Sequence, residues 1–148
     1  MKPLMLAIFI SVIAAGAQAA ELDKREVLRL TQAQRNLVLE EMRGMLAATQ
    51  GILGALSAKD MTAVAQHARA VGMAMAHKSE DHLKGALPPA FMQLGMSAHQ
   101  DFDQIAADAE TKKDPQLTLQ QLSESMKKCM GCHETYQIRV VQRRKAAP

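Results

Sequence analysis

The stretch "DPQLTLQQLSESMKKCMGCHETYQIRV", residues 114–140, decides how the rest of the chain is read. It opens on Asp114 and Pro115, an N-cap followed by a proline suited to a first helical turn. Leu119, Leu122, Met126, Cys129, Tyr136 and Val140 then recur close to a helical period, so the spacing predicts a helix that ends in a basic tail. Inside it stand the only two cysteines of the chain, Cys129 and Cys132, and His133 follows the second directly.

Three more helices are expected upstream. Thr31 and Gln34 have capping-box spacing, and Val38, Met42, Met45, Leu46, Leu53 and Leu56 follow with a period near 3.6. Asp60 is an N-cap for a second segment that runs through Val64, Ala68, Val71 and Met75 to about His77. A polar loop is expected over Lys78 to Gly85. Pro88 and Pro89 then open a third segment carrying Phe91, Leu94, Ala98, Phe102, Ile105 and Ala109. No strand-like alternation of any length is expected.

Composition agrees with that pattern. The chain has 148 residues with no Trp, one Tyr and three Phe, and is rich in Ala, Leu and Met, which favour helices over strands. The expectation is an all-α domain, an antiparallel four-helix bundle with short connections.

The N-terminus reads as a leader. Lys2 gives a positive start, Pro3 to Ala15 is nearly all apolar, and Ala17–Gln18–Ala19 is a small-residue cleavage signal. Residues 1–20 are therefore expected to be a cleaved secretory signal peptide, and 21–148 the mature domain. The apolar run is shorter than the roughly 20 residues that span a bilayer, so export to the periplasm is expected rather than a membrane anchor.

Formal net charge is +3, and loss of Lys2 leaves the mature chain near neutral, which does not suit a nucleic-acid-binding protein. The distribution is uneven. Lys127, Lys128, Arg139, Arg143, Arg144 and Lys145 surround and follow the cysteines, either as a solvated helix end or as a collar for an acidic partner.

C-x-x-C-H is the attachment signature of c-type haem. Two thiols one helical turn apart share a face and can add across two vinyl groups, and the next imidazole can bind iron. The competing chemistries are less well served. Structural zinc wants four protein ligands, and there is no second cysteine pair. Thiol exchange of the thioredoxin kind wants a βαβ context. A disulfide at this spacing would strain a continuous helix. No nucleophile–base pair and no phosphate-cradling loop is visible, so the chain is expected not to be an enzyme.

The leader, the four-helix pattern, "CMGCHETY" (129–136) and, more weakly, "EEMRGMLAATQGILGAL" (40–56) resemble a class II cytochrome c, the cytochrome c-prime family with its low-spin members. The resemblance implies one haem c per chain, with thioether bonds at Cys129 and Cys132 and His133 as proximal iron ligand. Tyr136 matches the family's aromatic residue three positions after that histidine. The next position is commonly Arg in cytochrome c-prime and is Gln137 in this chain, a departure from the high-spin, gas-binding type of proximal pocket. The distal position comes from the first helix and falls at or beside Met42, with Met45 as second choice.

A His/Met-ligated carrier of single electrons in the periplasm is thus expected, meeting redox partner proteins, acidic ones among them, with homodimer formation common in the family. The alternative is a five-coordinate cytochrome c-prime that binds nitric oxide or carbon monoxide, with Met42 as packing. His67, His77, His82 and His99 are expected to be structural or solvated.

Overall fold

The computed structural model describes residues 23–141. The leader over 1–20, the mature start at Glu21 and the tail residues Arg143, Arg144 and Lys145 lie outside the described residues. The element order is β1 (Glu26–Leu30), α1 (Gln32–Ser57), α2 (Met61–Arg69), α3 (Met73–Leu83), α4 (Pro89–Thr111), α5 (Pro115–Thr135) and β2 (Tyr136–Val140). The chain is mostly helical, as its composition predicts. Among the described residues no helix is long and apolar enough to cross a membrane.

Most helix starts follow the expected chemistry. The Thr31 hydroxyl accepts from the Gln34 N–H, and the Gln34 side chain accepts in turn from the Thr31 N–H, closing the capping box. Asp60 accepts from the Ala63 N–H, and Asp114 from the N–H groups of Gln116 and Leu117. Pro89 is the first helical residue of α4, after Pro88.

Two expectations about the second helix are corrected. It is not continuous to His77, because it breaks into α2 and α3 over residues 70–72. Residues 78–83, expected in a loop, belong to α3. The break has a tertiary cause. Gly72 is extended, and Asp103 of α4 accepts from the Met73 N–H at 2.9 Å, so a side chain thirty residues away caps α3. Residues 78–83 stay helical because Ser79 and Leu83 are buried against α1 and α4.

The third correction is a two-stranded sheet. β1 and β2 pair in parallel, in register Glu26↔Tyr136 through Leu30↔Val140. Tyr136 and Val140, expected on a helix, therefore sit on a strand. Leu28 and Leu30 point inward and are buried, while Arg29 between them is exposed, the period of two that a half-buried strand requires.

The core forms two clusters. One gathers Ala48, Ile52, Val64, Ala68, Phe102, Ile105 and Leu122 between α1, α2, α4 and α5. The other lies under the sheet and gathers Leu28, Leu30, Val38, Leu83, Leu87 and Phe91. Packing runs α1 on α2, α2 on α4 and α4 on α5, while α1 and α5 do not pack along their length.

Between α1, α3 and α4 lies a buried polar set. His99 is 3% exposed, and its Nδ1–H donates to the Val71 carbonyl at 2.8 Å. Its Nε2 lies 3.9 Å from Glu41, an ion-pair separation, and the Ser79 hydroxyl donates to the same carboxylate. Burial alone would lower the imidazole pKa. Glu41 and the Val71 carbonyl outweigh it, so the pKa is raised above 6.5.

Two predictions follow from this packing. Gly72→Ala places a Cβ 1.9 Å from Asp103 Oδ1 and drives that carboxylate off the α3 cap, a loss of about 1–3 kcal/mol measured by urea unfolding. The second concerns pH, with Glu41 on α1 and Glu80 on α3 as the acidic groups lining the space beside His99. Because the folded pKa of His99 is raised, its stabilisation is complete below the unfolded value of about 6.5 and is lost as pH rises through the folded value. The urea midpoint of the wild type falls between pH 6 and pH 9, and His99→Gln removes that part of the slope.

Candidate functional site

Cys129, Cys132 and His133 occupy the last two turns of α5, which ends at Thr135. The helix is closed there by the Tyr136 N–H donating to the Cys132 carbonyl, and the chain turns directly into β2. Arg25, just ahead of β1, donates from Nη1 to the His133 carbonyl at 3.1 Å. Tyr136 packs edge-on against Phe91, with ring centroids 5.3 Å apart. The motif is thus held at a helix terminus by the sheet on one side and an aromatic pair on the other.

Both cysteines are free thiols. Desolvation of the sulfurs raises the pKa of each above 9.0, with Asp101 adding to the effect at Cys129 and Cys129 adding to it at Cys132. The location works in the same direction. A helix C-terminus carries partial negative charge, so it disfavours a thiolate that a helix N-terminus would favour. These are protonated thiols placed one turn apart, not a thiol-exchange centre.

Met42 and Met45 fall in different places. Met42 is half-buried against the sheet-side cluster, the same cluster against which Cys132, Tyr136 and Ile138 pack. Met45 packs instead into the cluster of Ile52, Val64 and Phe102. The rotation of α1 explains the difference. Gly44 and Gly51 lie where an added Cβ would meet Met75 and His67, so that flank faces α3 and α2. On the other flank Met42, Leu46 and Leu53 fall within about 40° of one another at 100° per residue.

A matching stripe runs along α5. Gln121 and Lys128 reach Asp108 and Asp101 of α4, which fixes the flank that faces α4. Leu119, Leu122, Met126, Cys129 and His133 lie on the other flank, within about 80°. Leu46 is 71% exposed, Leu53 48%, Leu119 41% and Met126 49%. Two apolar stripes, one on α1 and one on α5, thus flank the seam where these two helices lack the close packing of the other helix pairs. The α5 border carries Cys129 and His133, and Met42 lies on the α1 border near Cys132.

No other part of the described residues combines these features. A groove of about 580 Å³ lies between α2 and the end of α4 and contains no motif residue. A space of about 40 Å³ beside Glu41, Ser79 and His99 has room for about one water. Among the described residues no three His, Cys, Asp or Glu side chains group as ligands for a bare metal ion.

The remaining histidines separate clearly. His67, His77 and His82 are exposed, and His99 is committed to Val71 and Glu41. Sequence reasoning missed the Glu41–Ser79–His99 set, since nothing in the spacing of residues 41, 79 and 99 signals that three helices bring them together. It also missed that Lys127 and Lys128 are already paired, with Glu124 at 2.7 Å and Asp101 at 2.6 Å.

No protein-family model, no curated protein and no solved structure matches the chain.

The thiol chemistry is directly measurable. In protein expressed without its first 20 residues and without haem, iodoacetamide alkylation of Cys129 and Cys132 is slow at pH 7. The rate rises steeply above pH 9, following the raised thiol pKa values. A rate that saturates below pH 8 would assign the pair to thiolate chemistry.

Proposed function

We propose that the chain is a periplasmic c-type cytochrome that carries single electrons, an antiparallel four-helix bundle closed around one covalent haem. The observation that carries the reading is the seam between α1 and α5. Its borders are apolar and exposed, and its α5 border holds the C-x-x-C-H motif. An exposed Leu or Met side chain forgoes about 1.5–3 kcal/mol of burial, so two such stripes in one molecule are costly unless something apolar lies between them. A porphyrin is a flat apolar group with reactive vinyl edges, and the donor set fits it.

In this reading Cys129 and Cys132, both free of any disulfide, would hold the haem through thioether bonds to its two vinyl groups. His133 on α5 would be one iron ligand and Met42 on α1 the other, a thioether sulfur that would favour the reduced state. Met45 packs into the other cluster, which supports Met42 over it as the distal residue. When bound, the haem supplies a ferric–ferrous couple. The chain's contribution is to hold the two ligand-bearing helices apart and exclude water. The sheet fixes the end of α5 against the start of α1.

The experiment is an absorption spectrum of the exported, purified protein with and without carbon monoxide. A covalent haem with a six-coordinate low-spin spectrum, unchanged by the gas, is expected. A high-spin spectrum that shifts with carbon monoxide selects the five-coordinate, gas-binding alternative, and absence of covalent haem sinks both. Met42→Ala is expected to turn the iron high-spin and open it to carbon monoxide, whereas Met45→Ala leaves the spectrum as it is.

A further inference from the structure

The β1–β2 pair carries an electrostatic feature that the haem reading does not use. In its register Arg29 lies directly opposite Arg139, and both are exposed on the outer face. Facing positions in a parallel pair are about 5 Å apart, and like charges there destabilise the pairing. Among the described residues neither arginine has an ion-pair partner, and Arg139 donates only to the neutral Gln137 side chain, at 3.2 Å.

Among the described residues Asp23 is a carboxylate that feels Arg139, and it is already engaged. Asp23 takes Arg25 at 2.6 Å and 3.0 Å, and that pairing, with a smaller contribution from Arg139, holds its carboxyl down at about 2. Glu26 falls on the other face by strand alternation. Lys127 and Lys128, the cations that stand beside the cysteines in the sequence, are neutralised by Glu124 and Asp101. Among the described residues, the arginine charge at this end that no ion pair offsets therefore lies on the sheet, while Lys127 and Lys128 of the helix are paired.

We propose that the outer face of the β1–β2 pair, centred on Arg29 and Arg139, is a docking site for an acidic protein partner whose carboxylates neutralise this in-register arginine pair. Guanidinium groups suit the task, because each can hold a carboxylate through two parallel N–H donors. The ladder fixes the spacing of the two groups, so a partner presenting two carboxylates is recognised by geometry as well as charge. A protein is favoured over a bilayer by the rest of the face. Val27 and Gln137 are half-buried and the exposed Val141 is short, so the face has no side chain to insert among lipids.

The position gives docking a consequence. β2 begins one residue after α5 ends, and Arg25 ties β1 to the His133 carbonyl. A partner on this face meets the end of the molecule that holds the motif. What it exchanges there rests on the electron-carrier reading, but the docking does not.

The test uses the exported, isotope-labelled protein and hexaglutamate as the probe, followed by amide NMR at low salt. Shifts are expected over residues 25–31 and 136–141, with binding roughly tenfold weaker once salt shortens the screening length to about 8 Å. The Arg29→Gln/Arg139→Gln variant loses about tenfold or more, Arg139→Gln alone loses part of that, and Lys127→Gln/Lys128→Gln keeps wild-type binding. Shifts centred elsewhere, or unchanged binding in the double arginine variant, overturn the proposal. So does co-sedimentation with phosphatidylglycerol vesicles under conditions where hexaglutamate does not bind. The absorption spectrum of the same sample reports the haem separately: hexaglutamate binding by haem-free protein supports the docking site while removing the cytochrome.

Discussion

Five residue pairs at the two ends of the domain set the geometry of everything between them. Glu26–Leu30 and Tyr136–Val140 are about 110 residues apart in sequence, yet they pair in parallel immediately before α1 and immediately after α5. This clasp fixes where α1 begins relative to where α5 ends. Closing so long a loop is entropically costly, and a two-stranded ribbon alone could not sustain it. The inner face provides the rest, because Leu28, Leu30, Ile138 and Tyr136 bury against Val38, Leu83, Leu87 and Phe91. The same cluster takes Met42 and Cys132, so the contact that holds the clasp shut also brings the α1 methionine near the α5 motif.

Away from the clasp the two helices part. The bundle packs in the order α1, α2, α4, α5 and does not return from α5 to α1. In a bundle that needed only to fold, Leu46 and Leu53 would be expected to meet Leu119 and Met126, since each fully buried side chain of this size contributes roughly 1.5–3 kcal/mol. They stay apart and exposed. In the proposed function a haem takes the place of these contacts, a reading that packing supports apart from any likeness in sequence.

The sequence was informative where a signal is local and weak where it depends on a distant partner. The capping box at Thr31, the caps at Asp60 and Asp114 and the proline start at Pro89 are all short-range chemistry, and each appears as read. The break between α2 and α3 was not legible, because its cap is Asp103 from another helix. The strands were not legible either. EVLRL alternates over only five residues, and YQIRV continues the helical period of α5, so neither identifies itself without the other. The motif residues and their place near the end of the last helix could be read from sequence, but the stop at Thr135 and the raised thiol pKa values could not. The charge collar was legible as composition only. Pairing with Glu124 and Asp101 moves its uncompensated part from α5 to the sheet.

The choice between two methionines one turn apart shows how far a local feature can reach. Met42 and Met45 differ by about 60° of helix rotation, too little for hydrophobic periodicity to separate them. The glycines resolve it. Gly44 and Gly51 are seven residues apart and share a flank, and at each an added Cβ would come within 2.9 Å of Met75 or His67. That close approach seats α3 and α2 against one side of α1, so the rotation of the helix is set by steric room rather than by apolar content. Met45 is then turned into the core, and Met42, with Leu46 and Leu53, is turned to the seam. The proposal of Met42 as the distal residue thus draws its support from a pair of missing side chains on the opposite flank of the same helix.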